Sequence, residues 1–233
     1  MENFLHIVIG GNIGCGKTTL AKKLCSELDA IFVQEPHDAK VLAANYKDPT
    51  RNAFLTEIYF LRARLQAWQY FIRNRSRHVV EDRSVFEDGV FAKTRLERGE
   101  MTPLEYEQYI DLLELHISMV ERPTVYVYLK CSPEKCMERL AKRMAETKKA
   151  VAETGAKSGP DTDPLITMDF VRDLAKSYEE WATRGSRMAT LWMEVDVEED
   201  SDYSELCSSI AKTIVKNSRL FMCPCHVNWQ KFI

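Results

Sequence analysis

Short apolar runs separated by stretches of helical spacing set the rhythm of the chain. Phe4-Leu5-His6-Ile7-Val8-Ile9, Ala30-Ile31-Phe32-Val33, His78-Val79-Val80-Glu81, Thr124-Val125-Tyr126-Val127-Tyr128-Leu129 and Leu191-Trp192-Met193-Glu194-Val195 each read as a strand, the fourth being the clearest inner one. Such strands, alternating with amphipathic helices, predict an α/β fold: a five-stranded parallel sheet covered on both faces. Ala53 to Arg75 has helical apolar spacing through Leu55, Ile58, Tyr59, Leu61, Leu65, Trp68, Phe71 and Ile72. Thr102-Pro103 starts another helix, with a threonine cap and a first-turn proline, running through Tyr109 and Leu113 towards Val120. Ala145 to Pro164 breaks the rhythm. It is rich in Lys, Glu, Ala, Gly, Thr and Asp, and reads as an exposed, mobile segment placed like a lid. No repeat or second domain is visible, so residues 1–233 are taken as one domain.

Composition narrows the classes of function. A net charge of −3 over 233 residues gives no footprint for a nucleic-acid polymer or an anionic membrane, which favours small-molecule chemistry. No apolar stretch approaches the ~20 residues that span a bilayer. The chain enters a strand almost at once, so no signal or transit peptide is expected unless one was removed, and the cytoplasm is the default expectation. Seven cysteines without framework spacing suit reduced thiols. Cys223-Pro224-Cys225-His226 lacks a second ligand pair and is read as a plain C-terminal tail rather than a metal site.

The chemistry begins directly after the first strand. Gly11-Asn12-Ile13-Gly14-Cys15-Gly16-Lys17-Thr18 spells G-x-x-x-x-G-K-T, and Thr19-Leu20-Ala21-Lys22-Lys23-Leu24 opens a helix. Strand, loop and helix in this order are the context of a phosphate-binding loop. Its backbone N–H groups and the helix N-terminus face phosphate, Lys17 adds a point charge, and Thr18 offers a hydroxyl to Mg²⁺. The switch and guanine-reading motifs of GTPases are not found at suitable places. Gln34-Glu35-Pro36 and Glu81-Asp82-Arg83-Ser84 stand at the ends of the second and third strands instead. Ligands of open parallel sheets bind beyond the carboxyl ends of the strands, so Glu35, Asp82, Arg83 and the loop should share one cleft. Glu35 can take a hydroxyl proton, Arg83 can hold Glu35 ionised, and Asp82 with Thr18 can hold Mg²⁺ through water. A lone carboxylate at a strand end is often only a helix cap; the conjunction with the loop argues for phosphoryl transfer.

With these residues in place the chain resembles the deoxynucleoside kinase family over nearly its whole length. The resemblance rests on Gly11 to Thr19, Glu35-Pro36, Tyr46-Lys47-Asp48-Pro49-Thr50-Arg51-Asn52-Ala53-Phe54, Asp82-Arg83-Ser84-Val85-Phe86-Glu87-Asp88 and Arg139-Leu140-Ala141-Lys142-Arg143. It implies a P-loop kinase fold, a homodimer built from two long helices, and ATP as donor to the 5′-hydroxyl of a deoxynucleoside. Glu35 then takes the catalytic carboxylate position and Arg83 that of the arginine on the 5′-hydroxyl. Tyr46 matches the tyrosine at the sugar 3′-hydroxyl. Arg139 and Arg143 begin a lid of about residues 139–166 whose closure excludes water. Arg64 and Asp88 match a pair beyond the base, and Phe54 and Phe91 match aromatic positions near it, though each phenylalanine could equally pack in the core.

The chain departs from the family pattern in two places. Ala145 and Lys148 stand where the lid often carries Arg and Glu, with Glu146 or Glu153 as possible substitutes. Glu57 stands where the family usually has Gln. A carboxylate offers only acceptors, which suits the adjacent donors of guanine; the bland reading is a salt bridge to Arg64 on the same helix face. Trp68 and Trp181 are expected in the core, and His37 near the cleft only incidentally. Two alternatives stay open: a nucleoside monophosphate kinase such as a thymidylate kinase, and a nucleotide-binding regulatory subunit without turnover.

Overall fold

The computed structural model describes residues 4–73, 75–154, 166–198 and 203–217. Five strands, β1 (His6–Gly11), β2 (Ile31–Val33), β3 (Val79–Asp82), β4 (Val125–Lys130) and β5 (Leu191–Asp196), form one sheet in the order β2-β3-β1-β4-β5. Every pair is parallel. The helices are α1 (Lys17–Leu28), α2 (Ala39–Lys47), α3 (Pro49–Ala67), α4 (Asp88–Glu97), α5 (Pro103–Met119), α6 (Pro133–Thr154), α7 (Met168–Ala182) and α8 (Tyr203–Lys216).

Alternation along the central strands divides the core in two. Ile7 and Ile9 of β1 and Val125, Val127 and Leu129 of β4 join Leu20, Leu24, Ile210 and Ile214 from α1 and α8. Val8, Tyr126 and Tyr128 point the other way, into Leu61, Val90, Tyr109, Leu113, Leu174 and Tyr178 from α3, α4, α5 and α7. Both faces are therefore covered, as the unbroken apolar runs require. Trp181 lies in the second core, its Nε1 donating to Phe86 O at 2.9 Å, and Trp68 packs at its margin.

Three expectations are corrected. The long helix begins at Pro49, because Asp48 caps it by accepting from Arg51 N and proline occupies the first turn. It ends at Ala67 and passes into a π-helical turn, Trp68–Ile72. The segment expected to be mobile from Ala145 continues α6 as helix to Thr154; Lys, Glu and Ala are strong helix formers and need no deep apolar face to extend an existing helix. The remainder, 155–165, lies outside the described residues, as does the Cys223–His226 cluster. By contrast, α5 starts where expected, with Thr102 and Glu105 forming a reciprocal capping box.

Candidate active site

The carboxyl ends of β1, β2 and β3 open into a cleft of ≈ 760 Å³. At its floor, β1 runs into the phosphate loop. Gly14 and Gly16 adopt φ of +82° and +99°, and a Cβ on Gly14 would meet Cys136 O at 2.5 Å. Only glycine serves there without strain. Lys17 is 6% exposed and donates from Nζ to Gly11 O at 3.1 Å and Asn12 O at 2.9 Å. Asn12 braces the loop: its Oδ1 accepts from Ile13 N at 2.8 Å while its Nδ2 donates to Val171 O of α7 at 3.0 Å. Cys15 is buried beneath the loop, and burial raises its thiol pKa. Ile13, Gly14, Gly16, Lys17, Thr18 and Thr19 line the cleft itself, whereas Gly11, Asn12 and Cys15 shape it from behind.

Thr18 Oγ1 donates to Asp82 Oδ2 at 2.5 Å. Asp82 is buried, and among the described residues its Oδ1 has no hydrogen-bond partner. A spare buried carboxylate oxygen beside a hydroxyl is a hard-oxygen donor set that fits Mg²⁺. Burial and the charge of Glu35 raise the Asp82 pKa, against the opposing effects of Lys17 and Thr18.

Glu35, just beyond β2, is clasped from two sides. Arg83 Nε lies 2.7 Å from its Oε1, and Arg64 Nη2 donates to the same oxygen at 3.0 Å. Burial alone would raise the Glu35 pKa; Arg83, Arg64 and Lys17 outweigh it and hold the carboxyl below its ordinary value. Arg83 sits at φ +64°, a left-handed conformation unusual for a non-glycine residue, with its N–H donating to Ile9 O at 3.0 Å. Its guanidinium lies 4.7 Å from the centre of the Phe91 ring.

Along α3, Glu57, Phe60 and Arg64 fall on one face at intervals of three and four residues, and all three line the cleft. Arg64 Nη1 lies 3.2 Å from Asp88 Oδ1, so the expected pair forms. Burial pushes the Asp88 pKa up to about 8 despite Arg64, and Glu57 adds to the rise. Tyr46, Phe91, Arg139, Arg143 and Glu146 also line the cleft, with His37 at its exposed mouth. Arg139 Nη1 reaches back to Cys15 O at 3.3 Å and its Nη2 to Val197 O at 2.7 Å, tying α6 to the loop. The side chain of Glu153 lies outside the described ones.

Two placements correct the sequence reading. Phe54 packs against the second core and does not line the cleft; Phe60 presents the aromatic face there instead. Glu57 does not pair with Arg64. Its Oε1 lies 2.5 Å from Arg95 Nε, and Arg95 Nη1 continues to Glu100 at 2.8 Å. Arg64 is already engaged by Glu35 and Asp88, which leaves Glu57 to the other arginine. Sequence reasoning also missed Arg95, Glu100 and Phe170 as cleft residues. It left Glu87 without a role, although Ser84-x-x-Glu87 is a legible capping box.

A P-loop at the end of β1, with a carboxylate and an arginine at the ends of β2 and β3, defines a P-loop phosphotransferase. The family model described as deoxynucleoside kinase matches residues 7–216, and the chain belongs to that family of enzymes. Over 183 residues it is 33% identical to a deoxyadenosine kinase of Dictyostelium discoideum, covering 78% of this chain and 68% of that one. Over 221 residues it is 25% identical to a deoxyadenosine/deoxycytidine kinase of Bacillus subtilis, covering 91% and 94%. Among solved structures, a deoxyadenosine kinase from M. mycoides with bound dCTP shares the fold. Its TM-score is 0.72 at 24% identity, over 89% of this chain and 99% of that one. The monophosphate-kinase alternative is not favoured by these matches.

Proposed function

We propose that the cleft transfers the γ-phosphoryl group of ATP to the 5′-hydroxyl of a deoxynucleoside. The observation that carries this reading is Glu35, held ionised between Arg83 and Arg64 in the same cleft as the phosphate loop. The loop N–H groups and Lys17 bind the donor phosphates, with Arg139 and Arg143 on α6 closing from above. Arg83 holds the acceptor oxygen, and Glu35 accepts its proton as the oxygen attacks. Thr18 and Asp82 would hold Mg²⁺, which when bound neutralises charge on the donor phosphates. Tyr46 contacts the sugar, with Glu146 on α6 as a second sugar contact.

At the base end the reading leans to purines, deoxyguanosine among them. One oxygen of Glu57 is held by Arg95, which leaves the other carboxylate oxygen as an acceptor for the base. Guanine answers with its adjacent N1–H and N2–H donors, whereas cytosine N3 needs a donor that a carboxylate lacks. The deoxyadenosine kinase names of the relatives support the same class. Phe91, Arg64 and Asp88 complete this end.

The homodimer reading is supported by an exposed apolar stripe on α5, formed by Leu104, Leu112, Leu115 and Met119, and by exposed Leu55 of α3. Five described cysteines are free thiols, which suits the reducing cytoplasm. Among the described residues no helix is long and apolar enough to cross a membrane. Incubation with a deoxynucleoside and ATP labelled in its γ-phosphate tests the reaction: the label should appear in the 5′-monophosphate. Label in a 3′-monophosphate, or none in nucleotide product, would contradict it.

A further inference from the structure

Glu87 is fully buried at 0% exposure, yet it belongs to neither substrate end of the cleft. Its Oε2 gathers three groups from distant parts of the chain. Gly11 N, at the entry to the phosphate loop, donates to it at 3.1 Å. The Tyr178 hydroxyl of α7 donates to it at 2.7 Å. Arg83 Nη1 lies 3.5 Å away and also donates to the Tyr178 hydroxyl. The other oxygen, Oε1, accepts from Ser84 N at 3.3 Å and closes the capping box that follows Arg83. Burial pushes the Tyr178 phenol well above its ordinary pKa, so it remains a hydroxyl able to donate to Glu87.

We infer that Glu87 is a positioning residue for phosphoryl transfer, a buried strut that fixes the Arg83 guanidinium relative to the phosphate loop. Arg83 leaves β3 in a left-handed conformation, which persists only where the surroundings over-determine it. Glu87 and Tyr178 supply that constraint at the far edge of the guanidinium, leaving Nε 2.7 Å from Glu35 Oε1. Because the same carboxylate oxygen holds Gly11, the acceptor's arginine and the donor's loop share one anchor. In-line transfer depends on the separation of these two parts, and misplacement by about 1 Å can cost ~100-fold in rate. Tyr178 brings α7 into the same anchor, alongside the bond from Asn12 Nδ2 to Val171 O.

The inference rests on the reading of Arg83 as the group on the acceptor oxygen, and the two can fail separately. The experiment measures steady-state kinetics and Tm for Glu87→Gln, Tyr178→Phe, the double variant and Arg83→Gln. Glutamine keeps the shape but loses the charge, and must turn an N–H towards Gly11 N or Ser84 N, both of them donors. Expected are a fall in kcat of about tenfold for Tyr178→Phe and about 100-fold for Glu87→Gln, with both KM values within about threefold. The double variant should lose no more than Glu87→Gln alone, because both residues act through one guanidinium. Folded Glu87→Gln with kcat near that of the parent, losses confined to KM, or additive losses would overturn the strut. Should Glu87→Gln fail to fold, Tyr178→Phe decides: unchanged kcat overturns the inference. Arg83→Gln retaining kcat would instead remove the reading of Arg83 itself.

Discussion

The two ends of the cleft are built on different principles. The donor end is made mainly of backbone: a loop whose N–H groups, glycine conformations and helix N-terminus act within one short segment. The acceptor end is made of paired ionisable side chains from separate elements, most of them buried. Glu35 follows β2, Arg64 and Glu57 lie on α3, Arg83 follows β3, and Asp88 and Arg95 lie on α4. Each buried arginine there is tolerable because a carboxylate lies beside it, so removing that carboxylate leaves it exposed to the full cost of burial. A backbone site is robust and generic. A site of paired charges is fragile, and its pairing can be rearranged to read different acceptors.

The sharpest way to break the comparison is at Glu35. Glu35→Gln should lower kcat by ~10²–10⁴-fold, with KM for ATP within about threefold, since the donor end does not depend on it. A comparable rise in KM for ATP would show that the two ends are not separable. Next in size is the base end. Glu57→Gln should lower kcat/KM for deoxyguanosine relative to deoxycytidine by about tenfold or more; an unchanged ratio would remove Glu57 from base reading.

A pH effect follows. The folded pKa of Glu35 is depressed, so its ionised form contributes stability above the ordinary carboxylate value, and this is lost as pH falls through the lowered one. The parent's kcat/KM should therefore show no Glu35 limb between about pH 7 and pH 5. Arg64→Gln removes one of the two clasping guanidiniums and should bring an acid limb up into that window. A profile with the parent's shape would show that Arg83 alone holds Glu35. The smallest effect lies away from both ends. Thr102→Ala removes the α5 cap and should cost ~1 kcal/mol, lowering Tm by a few degrees with kcat unchanged.

The same contrast explains what could be read from the chain before its fold was seen. The loop from Gly11 to Thr18 was legible because its chemistry is local, as was the α5 start at Thr102-Pro103. The five strands were legible as apolar runs, displaced by a residue or two where Gly10 and Gly11 extend the ladder opposite Tyr128 and Leu129. Glu35 and Arg83 were legible as strand-end residues. Their partners were harder. Glu57 carries no sign in its own neighbourhood that it pairs with Arg95, which lies on another helix; Arg64 was the nearer candidate by spacing. The sequence reading places Phe54 near the base and does not single out Phe60; only the rotation of α3 puts Phe54 against the core and Phe60 in the cleft. Glu87 has no role in that reading: its capping box with Ser84 is local, but its bonds to Gly11 and Tyr178 are tertiary.

The central claim is that this cleft phosphorylates a deoxynucleoside rather than a nucleotide. Its most direct test is an ATP-dependent assay over the four natural deoxynucleosides, with their 5′-monophosphates run in parallel. Deoxynucleosides should be converted to monophosphates, with the purines favoured in kcat/KM and the added monophosphates left unchanged. Conversion of monophosphates to diphosphates with the higher kcat/KM, or no turnover of any deoxynucleoside, would contradict it.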